Sequence, residues 1–235
     1  MCATILKTIF LILYFSYKIE GFSELSFMAS LDWNGIQYCG GTVISAEWVL
    51  TAAHCLYHMP ASEIKVRIGS KYSNKGGMFV DVSETRIYDD PYVKSYFDDV
   101  GLIKLSRPVE VEYIKLPEVG DYPKNASLIK VYGYGKINEG NDYNSELLMI
   151  EIPVVTIEEC RRSYGEQYVT DNMFCAYAEE KDACQGDAGG PAIIDNIQYG
   201  IISWGLGCAR YTFPGVYTLI SNSWIRSWIY RITGA

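Results

Sequence analysis

The chain is expected to fold as an all-β protein, a sandwich or a barrel, with few helices. Three observations predict this. Short runs rich in β-branched and aromatic residues recur along its 235 residues. Gly, Asn, Asp and Pro separate those runs at short intervals. No internal repeat, low-complexity stretch or long helical period competes with the pattern.

Taken in order, the first element is an address. "ILKTIFLILYFSY" (5–17) is an apolar run with Lys7 inside it. Its core, 8–17, matches the apolar region of a secretion signal and is short for a membrane span. Residues 1–21 are therefore expected to form a leader cleaved somewhere between 16 and 23. The remainder, 22–235, is expected to be exported, extracellular and without a stable membrane span. Strands are expected at 64–68, 79–82, 100–105, 127–132, 147–155 and 199–204, each bounded by turn residues. A short helical turn follows Thr51. A second helix is expected over 157–164, with Thr156 as N-cap and Glu158 and Glu159 in its first turn. A third is expected over 221–232, where Trp224, Ile225, Trp228, Ile229 and Ile232 share one face. A linker between two halves runs through 107–125.

Hydrophobic residues make up 49% and charged ones 20%, the balance of an ordinary globular protein. The net charge of −8 argues against nucleic acid, which needs a basic face. Of seven cysteines, Cys2 falls in the leader. Cys39, Cys55, Cys160, Cys175, Cys184 and Cys208 remain. An even number in an exported chain predicts three disulfides, with the pairing left open by spacing. Asn125-Ala126-Ser127 is the one glycosylation sequon, so Asn125 is a candidate glycan site.

Amide hydrolysis by a serine route needs a nucleophile, an imidazole base and a carboxylate that fixes the base's tautomer. Donors must also face the developing oxyanion. The chain has two histidines, His54 and His58, four residues apart. No carboxylate accompanies them as in H-E-x-x-H, so no metal and no cofactor are expected.

Five blocks in order carry a resemblance: "CGGTVISAEWVLTAAHC" (39–55), "DVGLIKL" (99–105), "VYGYG" (131–135), "CQGDAGGP" (184–191), and "SWGLGC" with "PGVY" (203–208, 214–217). From about Ser26 onward the chain resembles the trypsin/chymotrypsin family of serine endopeptidases. The resemblance implies two packed six-stranded antiparallel β-barrels, about 24–115 and 116–235, with a C-terminal helix. It implies the disulfides 39–55, 160–175 and 184–208, each worth about 3 kcal/mol on a chain-entropy account. It places the base on His54 and the orienting carboxylate on Asp99 rather than Asp98. The oxyanion donors fall on the N–H groups of Gly186 and residue 188. Asp182, Gln185, Ser203, Trp204, Gly205 and Gly215 fall on the substrate pocket, where Asp182 matches the position that selects Arg or Lys.

The departures matter as much. Ala188 stands where the family has its nucleophilic serine, and Tyr134 where V-x-G-W-G has tryptophan. The family's activated N-terminus pairs with the acid before the nucleophile, here Asp187. The nearest candidate for that terminus, Ile19 in "KIEGF", sits too close to the first conserved block for an easy reach. Without an ammonium, Asp187 should protonate or push its loop outward, so residues 181–189 are expected to be zymogen-like or mobile. The family's calcium loop, "SKYSNKGG" (70–77), lacks carboxylates, so no calcium is expected. The aromatic stretch 88–99 is expected to overhang the cleft.

Two functions of different class follow. One is a secreted binding protein similar to the inactive serine protease homologues of arthropods, such as inactivated mite gut proteases. It would act as decoy, competitive inhibitor or cofactor on a protein or peptide ligand carrying Arg or Lys, as a monomer. The other is a trypsin-like endopeptidase cleaving after Arg or Lys, its serine replaced deliberately.

Overall fold

Twelve strands close into two antiparallel barrels. The structure, a computed structural model, describes residues 25–88, 97–136, 145–179, 182–208 and 212–235. The leader, Ile19 and most of the aromatic stretch lie outside these residues. The first barrel contains β1 (Met28–Trp33), β2 (Ile36–Ser45), β3 (Trp48–Thr51), β4 (Ile64–Ile68), β5 (Met78–Ile87) and β6 (Gly101–Leu105), hydrogen-bonded in the order 1-2-3-6-5-4. The second contains β7 (Leu128–Gly133), β8 (Leu148–Val155), β9 (Met173–Ala176), β10 (Pro191–Ile194), β11 (Ile197–Trp204) and β12 (Gly215–Leu219), in the order 10-11-12-9-8-7. Closure leaves neither sheet with an open edge.

Local chemistry explains the elements. In β4 the alternation of "IKVRI" buries Ile64, Val66 and Ile68 and leaves Lys65 to pair with Asp81 on β5. The β1–β2 hairpin turns on Asn34 (φ 53°) and Gly35 (φ 83°). Both central residues need positive φ, which Asn-Gly supplies. Helix α1 (Ile157–Tyr164) begins in a capping box: the Glu159 N–H donates to Thr156 Oγ1, and the Thr156 N–H donates to Glu159 Oε2.

Helix α2 (Ser223–Thr233) starts two residues later than the apolar pattern predicted. Asn222 causes this, because its Oδ1 accepts from the N–H groups of Trp224 and Ile225 at 2.9 and 3.3 Å. The buried strip is also narrower than expected. Ile225 and Ile229 are buried, Trp228 packs edge-on against Tyr88, and Trp224 is 72% exposed. The turn after Thr51 is a single 3-10 turn, Ala53–Cys55. Among the described residues no helix is long and apolar enough to cross a membrane.

The two barrels meet along a seam that carries the site. Thr42 Oγ1 of β2 donates to Gln198 Oε1 of β11 at 2.6 Å, fully buried. The Gly40 N–H donates to the Ala188 carbonyl at 2.7 Å, and the Leu147 N–H to that of Lys71 at 2.8 Å. Disulfides join Cys39 to Cys55, Cys160 to Cys175 and Cys184 to Cys208, the pairing implied by the family resemblance.

The loop 70–77 is closed by a side chain of its own barrel. Arg67 Nε donates to the Ser73 carbonyl at 2.9 Å and its Nη1 to that of Gly76 at 2.7 Å. The guanidinium also lies over the Phe79 ring. A cation already bonded to the loop's carbonyls leaves little for a divalent ion to gain. Arg67→Ala should therefore cost about 2 kcal/mol. A fall of several degrees in Tm would check it, and calcium or a chelator should shift the wild-type Tm by less than about one degree.

Candidate active site

His54 is positioned by sequence-local features. The 3-10 turn ends strand β3, and Cys55 fastens it to β2 through Cys39. Asp99 precedes β6, which pairs with β3, so the register of two strands brings imidazole and carboxylate together. His54 Nδ1 lies 2.7 Å from Asp99 Oδ2, and the His54 N–H donates to Asp99 Oδ1 at 2.8 Å. Ser203 Oγ donates to Asp99 Oδ2 at 2.5 Å, and Thr218 Oγ1 to the Asp99 carbonyl at 3.0 Å. Asp98 takes another partner, accepting from Asn172 Nδ2 at 2.6 Å.

The electrostatics follow from these contacts. Burial lowers the basicity of His54, but the hydrogen bond and charge of Asp99 outweigh it and raise the imidazole above its ordinary pKa. Burial pushes Asp99 up, yet His54, Ser203 and the His54 N–H together hold it below the usual carboxylate range. The His54 side chain remains 42% exposed, so solvent screens the pair. Among the described residues the polar contact of Nε2 is Cys55 Sγ at 3.8 Å. Ala188 offers it no hydroxyl.

Cys39, His54 and Cys55 also place their ligand atoms within 4.8 Å of one another. Both sulfurs belong to one disulfide, and zinc needs thiolates, so the group is not a metal site. His58 is exposed and in a left-handed turn.

The loop bearing Ala188 is seated inward. Gly186 (φ 97°) and Gly189 (φ 82°) make the turn. Gln37 Nε2 fixes it by donating to the Gly186 carbonyl at 2.7 Å. Among the described residues the N–H groups of Gly186 and Ala188 donate to no protein acceptor. Asp187 Oδ1 accepts from the Gly135 N–H at 2.7 Å and Oδ2 from the Cys184 N–H at 2.9 Å. No cation among the described residues joins them. As a residue Asp187 keeps some solvent contact, but its carboxylate points into the strand end 133–135. That burial pushes its pKa up to about 6, and the two N–H donors offset it only in part. The zymogen-like loop expected from the sequence is thus corrected over residues 182–189. Of the two outcomes allowed there, the carboxyl moves toward its neutral form and the loop stays in.

Beside Ala188 a cavity of about 170 Å³ opens, lined by Asp182, Gln185, Ser203, Trp204, Gly205 and Gly215 among others. Asp182 Oδ1 accepts from the Ala183 N–H at 2.8 Å. A Cβ on Gly215 would fall 2.8 Å from Asp182 Oδ1, so this glycine keeps the approach open. At Gly205 a Cβ would meet nothing nearer than 3.8 Å, so space alone does not require glycine there. The Tyr217 hydroxyl is buried with no hydrogen-bond partner among the described residues. Burial first, then the charges of Asp182 and Asp187, push its pKa well up. Asp182 and Asp187 thus both disfavour ionisation of the Tyr217 hydroxyl beneath the cavity.

A second cleft of about 490 Å³ adjoins it, sharing Ser203 and Trp204 and lined by His54, Tyr57, Phe97, Asp99, Tyr164 and Tyr168. Phe97 does face the cleft, as expected of the aromatic stretch, whereas Tyr88 at its start is in the core. Sequence reasoning missed Gln37, Tyr57, Tyr164 and Tyr168, and touched Tyr217 only as the end of the block "PGVY". Gln37 and Tyr57 flank the block 39–55 but are too ordinary in type to stand out, and Tyr164 and Tyr168 lie outside every block. Asn125, the sequon residue, is exposed in a turn.

Two closed barrels facing each other across this seam make the fold of trypsin-like proteins. The comparisons agree. A family model described as Trypsin matches residues 20–229. The chain is 39% identical over 199 residues to a trypsin of Sarcophaga bullata, covering 82% of this chain and 77% of that protein. It is 38% identical over 223 residues to hypodermin-B of Hypoderma lineatum (92% and 84%), and 37% over 203 residues to trypsin Blo t 3 of Blomia tropicalis (80% and 76%). The chain belongs to the trypsin family.

Proposed function

We propose that this protein binds Arg- or Lys-bearing protein segments in its cleft without cutting them. One observation carries the reading: Ala188 presents a methyl group where the mechanism requires a hydroxyl, so no acyl-enzyme can form. Loss of the nucleophile in a related triad costs on the order of 10⁶ in turnover. His54 and Asp99 then act as the wall of a binding cleft. The N–H groups of Gly186 and Ala188 receive a peptide carbonyl, and Asp182 receives the cation. The aromatic cleft beside them takes apolar neighbours in the same segment. Such a protein acts in a proteolytic cascade as decoy, competitive inhibitor or cofactor. The three disulfides suit an oxidising compartment, and we place the protein outside the cell, as a monomer, with a glycan at Asn125.

Benzamidine, a planar cation, tests the pocket by calorimetry. It should bind, and Asp182→Ser should weaken it by at least about thirtyfold, since truncating one partner of a buried charge pair costs 2 kcal/mol or more. No detectable heat at millimolar ligand would count against an open cation pocket. A second reading, an Arg/Lys-specific endopeptidase whose serine was replaced deliberately, is favoured by one observation: the His54–Asp99 geometry and the inward loop are those a cutting enzyme needs. A transcript with a serine codon at position 188 would establish it.

A further inference from the structure

Three residues at the end of β7 divide their work between two faces. In extended chain, successive side chains point to opposite sides. Gly133 and Gly135 face Asp187. A Cβ on Gly133 would fall 1.8 Å from Asp187 Oδ1, and one on Gly135 would fall 2.7 Å from its Cγ. The Gly135 N–H bonds that carboxylate, and the next N–H, of Lys136, donates to the Gln185 carbonyl at 2.9 Å. Tyr134, between them, turns the other way into the seam. It is 1% exposed and packs with the core of the first barrel. Its hydroxyl donates to the Ser70 carbonyl at 2.5 Å. Burial pushes the Tyr134 pKa up, partly opposed by Arg67, so the hydroxyl remains a donor.

Ser70 is itself fixed. Its Oγ donates to the Lys75 carbonyl and accepts from the Tyr72 N–H, inside the loop that Arg67 closes. A continuous set of bonds thus runs from Arg67 through the loop 70–77 to Tyr134. From there it passes through the two glycines to Asp187 and the turn that carries Gly186 and Ala188.

We infer that Tyr134 is a positioning residue for the cation cleft: anchored to Ser70 of the first barrel, it holds the glycine strand against Asp187 and so keeps the turn 184–190 of the second barrel seated. The inference rests on the cleft-binding reading above. It assigns control of that cleft to the loop 70–77, on the far side of the seam from Asp182. Anything that loosens the loop loosens the pocket.

Tyr134→Phe removes the hydroxyl and little else. In the full, disulfide-intact protein it should weaken benzamidine about tenfold, the order expected when one buried hydrogen bond is lost. It should also speed amide exchange at Gly135 and Cys184 by about tenfold or more, with the core amides of β2 and β12 unchanged. Arg67→Ala should weaken benzamidine too, and in the Tyr134→Phe background it should add little, because both act through one chain of contacts. Wild-type exchange at Gly135 and Cys184 in Tyr134→Phe would overturn the inference. So would a uniform acceleration across both barrels, which marks a merely structural loss, or full additivity of the two variants. If wild-type protein binds no benzamidine, the cleft reading fails, and the exchange rates still decide the role of Tyr134.

Discussion

Ala188→Ser should convert the purified protein from one that leaves an Arg-containing peptide intact into one that cuts it, with a gain of at least about a thousandfold. The nucleophile of a triad is worth on the order of 10⁶, and the lower bound allows for an imperfect turn. The expectation rests on what already stands around the missing oxygen. The imidazole is held by Asp99 at 2.7 Å, and its Nε2 has no competing hydroxyl among the described residues. Ser203 and the His54 N–H keep Asp99 ionised, which a base of raised pKa needs. The turn that would carry the serine is seated, with the N–H groups of Gly186 and residue 188 uncommitted to acceptors among the described residues. The product should be cleavage after Arg or Lys, lost again in Ala188→Ser combined with His54→Ala. A folded Ala188→Ser protein with no measurable gain would show that the turn is not competent in solution.

The second large effect is a pH dependence of opposite sign to that of a carboxylate held low by a charged partner. Asp187 has its folded pKa raised, from 3.8 to about 6. The folded state therefore binds the proton more tightly than the unfolded one between those values. Stability from this group is fully present below about pH 4 and is lost as pH rises through about 6. The loss is at most about 3 kcal/mol at 1.36 kcal/mol per unit. Asp99 works the other way: its folded pKa is lowered, so its contribution is present above the unfolded value and lost as pH falls. Unfolding free energies of wild type and Asp187→Asn, measured from pH 4 to 7.5, isolate the group by difference. Wild type should lose ground to the variant between about pH 4 and 6 and level off above that. The asparagine leaves one of the two N–H donors without an acceptor, so the slope, not the absolute offset, is the informative quantity. A flat difference would mean that a cation neutralises Asp187 in solution.

Much of this site was legible in the residues themselves. The block 39–55 located His54, because a small apolar run before a histidine and a cysteine repeats a family pattern. "CQGDAGGP" located Ala188 by the same means. Helix α1 was readable because a capping box is local: Thr156 and Glu159 recognise each other within one turn. Strand β4 was readable because alternation is local. What failed was set by partners far along the chain that no family block marks. The inward turn of Asp187 depends on Gly133 and Gly135, some fifty residues away. Helix α2 shows the same limit from the other side, since its apolar pattern did not tell that Trp224 would be left in solvent.

Besides the family resemblance carried by its five blocks, the sequence by itself determined six of the twelve strands described, the cap of α1 and the missing hydroxyl. Each follows from short-range stereochemistry or from the identity of one residue. Only the tertiary structure decided that the turn 182–190 lies inward, that Arg67 closes the loop 70–77, and that Tyr134 joins the two. The physical reason is that a buried charge or hydroxyl is stabilised by whichever groups the packed barrels bring to it. Those groups are neighbours in space long before they are neighbours in any pattern along the chain.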